Sequence, residues 1–313
     1  MANLATNARL CWTPSQPATT NCWRNWMRYP LDSRFRRNDG CCEDDGFSCC
    51  RQPILRSLML LAIDTSTRSA SAALSDGERI VAGCSWHSLV NHTTELMPAV
   101  SQLLDSRGVR PHDLEAVAVA LGPGGFSALR TGLSAAKGLA MAVRIPIIGI
   151  GSLDLEAFPF RDSGLPVCAL LEAGRGEAAS ALFTPDGTRV REDGITGPDE
   201  LLEEISAMSF DRFRANGWDG MILFCGEGMP PWAEGIREAL GARAALCHTP
   251  PSARAGSLAA LARERLERGD TDNLDALQPH YLRMPSIGVP KRRDRRVQAS
   301  SRSRRRANGT PPP

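Results

Sequence analysis

The stretch that decides the fold is residues 122–126, Gly-Pro-Gly-Gly-Phe, together with the segment that follows it. The apolar run at residues 116–121 before it predicts a buried strand. The glycines and Pro123 end that strand, because proline cannot donate a hydrogen bond to a β-ladder. Residues 127–142 contain no proline and are rich in alanine and leucine, which predicts a helix.

One side of this predicted helix carries small side chains at every fourth position, so that they form a ridge without bulk. Such a ridge lets another backbone approach closely, as small residues do between paired helices. Two leucines beside the ridge add apolar area. We therefore expect a docking face for another polypeptide, formed by Ala128, Leu129, Gly132, Leu133, Ala136 and Ala140.

The segments around this helix follow a recognisable order. Three short apolar strands joined by polar turns predict an antiparallel meander, which is followed by helix, strand, helix, strand and helix. This order is similar to the ribonuclease H-like half of the actin, hexokinase and Hsp70 superfamily. A second half begins near Pro166, with strands predicted at 167–171, 178–183 and 221–225 and helices at about 198–205, 232–240 and 256–268. We therefore expect an α/β fold of two ribonuclease H-like, actin-like (ASKHA superfamily) lobes, 58–160 and 161–285, each with a mixed sheet flanked by helices.

The two ends of the chain differ from its centre in composition. Residues 1–57 carry +3 and hold six of the ten cysteines, and residues 291–313 carry +8, so that residues 58–290 carry −9. Neither end shows helical or strand periodicity, and we expect a disordered leader at 1–57 and a disordered basic tail at 286–313. Because the globular pattern starts abruptly at Met59, we expect the native chain to start there. An acidic body is poorly suited to bind phosphate, so direct RNA binding would depend on the tail.

Hydrophobic patterning indicates a chain without a membrane segment. No run of eighteen apolar residues is present, and the N-terminus lacks the apolar core of a signal peptide. The expected location is the cytoplasm.

Several turns are candidates for phosphate or metal chemistry. Asp64 ends the first strand, where ribonuclease H-like nucleases hold metal ions, but the strand at 116–121 ends without a second acid. The following turn, Thr-Ser-Thr at 65–67, lacks the glycine that lets backbone amides approach a phosphate in actin-like kinases. Residues 172–174 and 226–228 are candidates for a second phosphate turn and an adenosine contact. A degenerate nucleotide site therefore stays open as an alternative.

Six segments of the chain together resemble one family, the TsaB (YeaZ-like) subunits of the bacterial tRNA threonylcarbamoyladenosine machinery. The resemblance covers about 59–285 and is strongest up to residue 151. The segments are 60–66, 91–98 (Asn-His-Thr-Thr-Glu-Leu-Met-Pro), 122–130, 136–140, 172–177 (Glu-Ala-Gly-Arg-Gly-Glu) and 279–283 (Pro-His-Tyr-Leu-Arg).

A catalytic paralogue of that family, TsaD, shares the first half of the pattern. It carries two histidines one turn apart on the helix after the fifth strand, which can bind one metal ion. The matching positions here are Ser152 and Glu156. A hydroxyl and one carboxylate cannot replace two imidazoles, and this difference favours a non-catalytic chain.

The resemblance implies a scaffold that pairs with a TsaD homologue, with a TsaE-type ATPase as third member and tRNA engaged through the complex. That assembly transfers a threonylcarbamoyl group from threonylcarbamoyl-AMP to N6 of adenosine 37 in tRNAs that read codons beginning with A. We also expect the docking face to form a homodimer when TsaD is absent, and we expect no catalytic, cofactor-binding or metal-binding residue in this chain. The alternatives are an actin-like nucleotide hydrolase, a protease, which the missing nucleophile motif disfavours, and an RNA-binding protein that uses the tail.

Overall fold

The computed structural model describes residues 59–88, 92–208, 220–248, 250 and 252–283. The expected leader at 1–57 and the expected tail at 286–313 lie outside these residues. Within the part of the chain that the structure describes, no helix is long and apolar enough to cross a membrane.

The first lobe is built on a five-stranded mixed sheet. Its strands are β1 (Met59–Asp64), β2 (Ser69–Asp76), β3 (Arg79–His87), β4 (Leu114–Gly122) and β5 (Ile147–Gly151). Their order is β3-β2-β1-β4-β5. The first three strands form the expected antiparallel meander, and β4 and β5 run parallel to β1.

Both faces of this sheet are covered, because side chains of neighbouring residues along a strand point in opposite directions. Leu61 and Ile63 of β1 belong to a core under α1 (His92–Asp105) and α2 (Phe126–Val143). Leu60 and Ala62 point to the other face and pack under α6 (Ala253–Glu267). The near-continuous apolar sequence of β1 is therefore explained by burial on two sides.

The second lobe repeats the pattern with a second five-stranded sheet. Its strands are β6 (Val167–Gly174), β7 (Glu177–Phe183), β8 (Arg189–Thr196), β9 (Ile222–Cys225) and β10 (Ala244–Leu246), in the order β10-β9-β6-β7-β8. Two helices, α4 (Pro198–Ala207) and α5 (Ala233–Leu240), supply Leu201, Ile205 and Ile236 to the core on one face. The predicted architecture of two lobes with mixed sheets flanked by helices is confirmed.

The end of the described chain returns to the first lobe. Helix α6 packs on the first sheet through Ala255, Leu258 and Ala262, and Asp272 forms an antiparallel bridge with Ile147 at the edge of β5. Residues 253–277 therefore pack with the first sheet, although the sequence boundary at 160/161 placed them in the second lobe, and Leu282 packs against the core of the second sheet. The short helix α3 (Ser152–Ala157) lies between the two sheets.

Candidate functional site

The glycine-rich segment after β4 is held against the turn between β1 and β2. The Gly125 N–H donates to the Ser66 carbonyl oxygen at 2.8 Å. A Cβ atom at Gly124 would overlap the backbone of Ser66, so only glycine allows this approach. Gly122 has φ +111°, a backbone conformation that residues with a side chain rarely adopt. The glycines therefore serve a close contact between two turns.

The opposite side of the same segment is covered by the C-terminal motif Pro-His-Tyr-Leu of residues 279–282. The His280 N–H donates to the Leu121 carbonyl oxygen at 2.7 Å. The Tyr281 ring lies 4.9 Å from the Phe126 ring, and its hydroxyl accepts a hydrogen bond from Arg130 Nε at 2.9 Å. Two of the segments that carry the family resemblance thus meet in one structural junction.

The small-residue ridge of α2 faces the interior of the chain. Leu129, Leu133, Ala136 and Ala140 are all buried side chains of the first lobe, Gly132 is buried, and Ala128 is half-buried. A Cβ at Gly132 would overlap the hydroxyl of Thr65, and that hydroxyl donates to the Ala128 carbonyl oxygen at 2.7 Å. The backbone that comes close to the ridge is therefore the chain's own turn after β1.

This placement corrects the expected docking face. The five buried residues cannot line a surface that meets another polypeptide while the lobe is folded. The side of α2 that remains exposed carries Ser127, Arg130, Ser134, Gly138 and Met141, at spacings that place them on one face of the helix. Met141 is 63% exposed and is one of two large hydrophobic residues with an exposed side chain among those the structure describes.

A cluster of four charged residues lies between the two lobes, at Asp64, Glu156, Glu227 and Arg254. Arg254, Asp64 and Glu156 are fully buried, and the Glu227 side chain is 20% exposed. Arg254 Nη2 lies 2.7 Å from Asp64 Oδ2, and Nη1 lies 3.4 Å from Glu156 Oε1 and 3.3 Å from Glu227 Oε1. We call these four residues the interlobe cluster.

Local structure fixes each member of the interlobe cluster. Asp64 ends β1, and its Oδ1 accepts hydrogen bonds from the backbone N–H and the hydroxyl of Ser66, at 2.8 and 2.7 Å. Arg254 sits at the start of α6 and also donates from Nη1 to the Thr67 hydroxyl at 3.0 Å and from Nη2 to the Ser66 hydroxyl. The Thr-Ser-Thr turn, considered from the sequence as a phosphate turn, therefore binds a guanidinium of the same chain.

The charges in the interlobe cluster do not balance, since three carboxylates surround one guanidinium. Burial raises the pKa of Glu156 from 4.5 to about 7; Arg254 opposes this shift, and the carboxylates of Glu227 and Asp64 add to it. The 3.4 Å ion pair with Arg254 favours the ionised form but is outweighed. Within the described part of the chain, neither Glu156 oxygen has a well-aligned hydrogen bond. Glu156 is therefore protonated over much of the range below pH 7.

The other turns that the sequence singled out behave differently. Glu172 is exposed on the second lobe and takes no part in the interlobe cluster. The backbone of Gly226 and Gly228 packs against β6, where the Gly228 N–H donates to the Leu170 carbonyl oxygen at 2.9 Å. Only Glu227, between these glycines, reaches the cluster. Sequence reasoning missed Arg254, whose one signal was an arginine within an alanine- and leucine-rich helix.

Ser152 and Glu156 are one turn apart on α3, and both are fully buried. Among the residues that the structure describes, the Ser152 hydroxyl has no hydrogen-bond partner. Among the described residues, no group of three His, Cys, Asp or Glu side chains is placed to hold a metal ion.

Comparisons with known proteins agree with the resemblance carried by these segments. The family described as TsaD: tRNA N6-adenosine threonylcarbamoyltransferase matches residues 88–283. The chain is 28% identical over 231 residues to the tRNA threonylcarbamoyladenosine biosynthesis protein TsaB of Bacillus subtilis (strain 168), which covers 72% of this chain and 95% of that protein. It is also 28% identical over 193 residues to the TsaB protein of Escherichia coli (strain K12), with coverages of 56% and 83%.

A solved structure shows the same similarity in three dimensions. YeaZ from Pseudomonas aeruginosa superposes with a TM-score of 0.57 at 26% sequence identity, over 72% of this chain and 100% of that chain. The similarity thus spans most of each of these relatives.

Proposed function

We propose a function from the family: the chain belongs to the family described as TsaD: tRNA N6-adenosine threonylcarbamoyltransferase and is a TsaB/YeaZ-like protein. Its proposed role is that of a non-catalytic partner subunit in the biosynthesis of threonylcarbamoyladenosine in tRNA. The observation that carries this proposal is the match to 95% of a TsaB protein, combined with Ser152 and Glu156 at the positions of the TsaD histidines. The catalytic step would then take place on a TsaD homologue.

The interlobe cluster supports a non-catalytic role. In actin-like enzymes the turn after the first strand holds the phosphates of a nucleotide, and here that turn holds Arg254. The carboxylates of Asp64 and Glu227 on either side of Arg254 would repel an anion at this position. This is an environment for a cation, and a nucleotide phosphate is disfavoured there.

The exposed face of α2 is the surface that we propose for the TsaD homologue. It combines an exposed Met141 with small and polar side chains at Ser134 and Gly138, so a second helix can approach it closely. The predicted interface thus moves by about half a turn around the same helix. The same surface would form a homodimer when the partner is absent, because a two-fold dimer uses one patch on both copies.

The remaining partners follow from the role. A TsaE-type ATPase is proposed as the third member, tRNA is engaged through the complex, and the assembly acts in the cytoplasm. The basic tail at 291–313, outside the described residues, provides the alternative of direct tRNA contact through phosphate neutralisation.

Reconstitution tests the proposal. The full chain is mixed with the TsaD and TsaE homologues of the same organism, unmodified tRNA, ATP and threonylcarbamoyl-AMP, and modified adenosine is measured by mass spectrometry. We expect modification only when the chain and the TsaD homologue are both present. Full modification without the chain, or transfer by the chain without TsaD, would contradict the proposed role.

A nucleotide-hydrolase activity is tested in the same preparation. Turnover of ATP by the purified chain that disappears in Asp64→Ala would favour the hydrolase alternative. Since the interlobe cluster disfavours a phosphate at this turn, we expect no turnover by either protein.

A further inference from the structure

We propose that Arg254 is a built-in lock between the two lobes. Its guanidinium lies at the centre of the interlobe cluster, fills the space between the lobes there (the interlobe cleft), and holds the lobes in one arrangement without any ligand. The proposal goes beyond the role in tRNA modification. Its test needs neither a partner nor tRNA, so it can fail while the proposed function stands.

The origin of the four side chains carries this inference. Asp64 belongs to the first sheet, Glu227 follows β9 of the second sheet, and Glu156 lies on α3 between the sheets. Arg254 comes from α6, which packs on the first sheet. One guanidinium therefore joins three parts of the chain that are distant in sequence and that belong to both lobes.

The geometry suits a guanidinium better than an ammonium. Nη2 contacts Asp64 while Nη1 points toward Glu156 and Glu227, and two hydroxyls of the turn after β1 accept further hydrogen bonds. A planar fork with several donors can serve these acceptors at the same time, whereas a lysine offers one compact charge. Asp64, Glu156 and Arg254 are also buried, so screening of their charges by water and salt is weak.

The interlobe cluster holds more negative than positive charge, and this excess predicts what happens to the lobes when Arg254 is removed. If the guanidinium is removed, the carboxylates of Asp64 and Glu227 face each other across the cleft with Glu156 beside them. Their mutual repulsion in a poorly screened site drives the two lobes apart. Two-lobed proteins that close around a ligand use the ligand to hold the cleft shut, and here a side chain of the protein itself takes that place.

The test compares Arg254→Ala with Arg161→Ala in the full chain. Arg161 pairs with Glu264 of the same helix α6, but that pair is partly exposed, so it serves as the matched control. We expect Arg254→Ala to lower Tm by on the order of 10 °C, because removing one partner leaves buried charges uncompensated. Arg161→Ala should change Tm by roughly 2 °C or less.

Hydrogen exchange separates a lock from an ordinary buried ion pair. In Arg254→Ala, amides at 64–67 and 226–228, on the two sides of the cleft, should exchange at least about tenfold faster, while the central amides of β2 and β7 keep their protection. Methylguanidinium at low millimolar concentration, far below the molar range that denatures proteins, should fill the vacated site and restore both Tm and protection in Arg254→Ala. It should leave the wild-type chain and Arg161→Ala unchanged.

Three outcomes overturn the proposal: a Tm equal to that of the control, exchange that accelerates equally throughout both sheets, or no response of Arg254→Ala to methylguanidinium. If Arg254→Ala does not fold, Arg254→Lys is tested instead. Lysine keeps the positive charge but lacks the planar set of donors of the guanidinium. We then expect faster exchange at 64–67 and 226–228 only, and exchange equal to wild type there refutes the lock.

Discussion

Replacing Glu156 with glutamine should change the pH dependence of stability in a defined direction. The pKa of Glu156 is raised from 4.5 to about 7, first by burial and then by the nearby carboxylates of Glu227 and Asp64, against the opposing effect of Arg254. The folded chain therefore binds this proton more tightly than the unfolded chain. The resulting contribution to the free energy of unfolding is fully present below pH 4.5 and is lost as the pH rises to about 7.

The size of this effect follows from the shift. A difference of about 2.5 pKa units, at 1.36 kcal/mol for each unit, corresponds to about 3 kcal/mol. Glutamine has nearly the shape of the protonated carboxyl group and no charge to lose. Glu156→Gln should thus be about as stable as wild type near pH 4.5 and more stable by up to about 3 kcal/mol at pH 8.

Urea unfolding of the full chain at a series of pH values between 4.5 and 8 measures this difference. Glu264→Gln is the control, because Glu264 is a partly exposed partner of an ion pair on α6. For that control we expect a difference from wild type of at most about 1 kcal/mol with little pH dependence. A stability difference between wild type and Glu156→Gln that stays constant from pH 5 to 8 would show that Glu156 is ionised throughout, and the reasoning about the interlobe cluster would be wrong.

Three further changes probe the glycine-rich segment and α2. Gly132→Ala should destabilise the chain by roughly 1–3 kcal/mol because its Cβ overlaps the Thr65 hydroxyl. Gly138→Ala on the exposed face, where a Cβ meets no atom of the described residues within 4 Å, should stabilise the chain by roughly 0.5–1 kcal/mol; equal effects of the two changes in thermal unfolding would contradict the placement of the ridge. Tyr281→Phe removes the hydrogen bond from Arg130 of α2 and should lower the free energy of unfolding in urea by up to about 1 kcal/mol; an unchanged free energy of unfolding would show that this bond does not form in solution. Met141→Lys should leave Tm unchanged and weaken co-purification with the TsaD homologue at least about tenfold; undiminished recovery would exclude this face as the interface.

Much of the fold could be predicted because its strands are apolar runs that end at turn residues. Strand β1 and the strand before the glycine-rich segment are buried on both faces, so their sequences are almost continuously hydrophobic. Strand β8 was missed because its residues, Arg-Val-Arg-Glu-Asp-Gly-Ile-Thr, are mostly polar and lack alternation. Strand β10 was missed because it has three residues, too few for a period to be visible.

The candidate site was harder to predict because its contacts join distant parts of the chain. Arg254 and Ser66 are 188 positions apart, and no local pattern indicates that they meet. The ridge on α2 likewise shows that a local sequence pattern does not identify its contact partner. Small side chains at every fourth position correctly predict that a backbone comes close, but the spacing does not say whose backbone it is. The Thr65 turn lies nearest in the folded chain, so the ridge is used internally.

These two features together favour a scaffold over an enzyme with a moving cleft. The interlobe cluster holds a guanidinium of the chain at the turn after β1, where it pairs with Asp64 and donates a hydrogen bond to the Thr67 hydroxyl of the same turn. The ridge of α2 fixes that turn from the other side through the Thr65 hydroxyl. A turn that is held on both sides by its own chain cannot open and close around a ligand without breaking buried contacts. A rigid first lobe, with the opposite face of α2 left exposed, is what a constant docking surface requires.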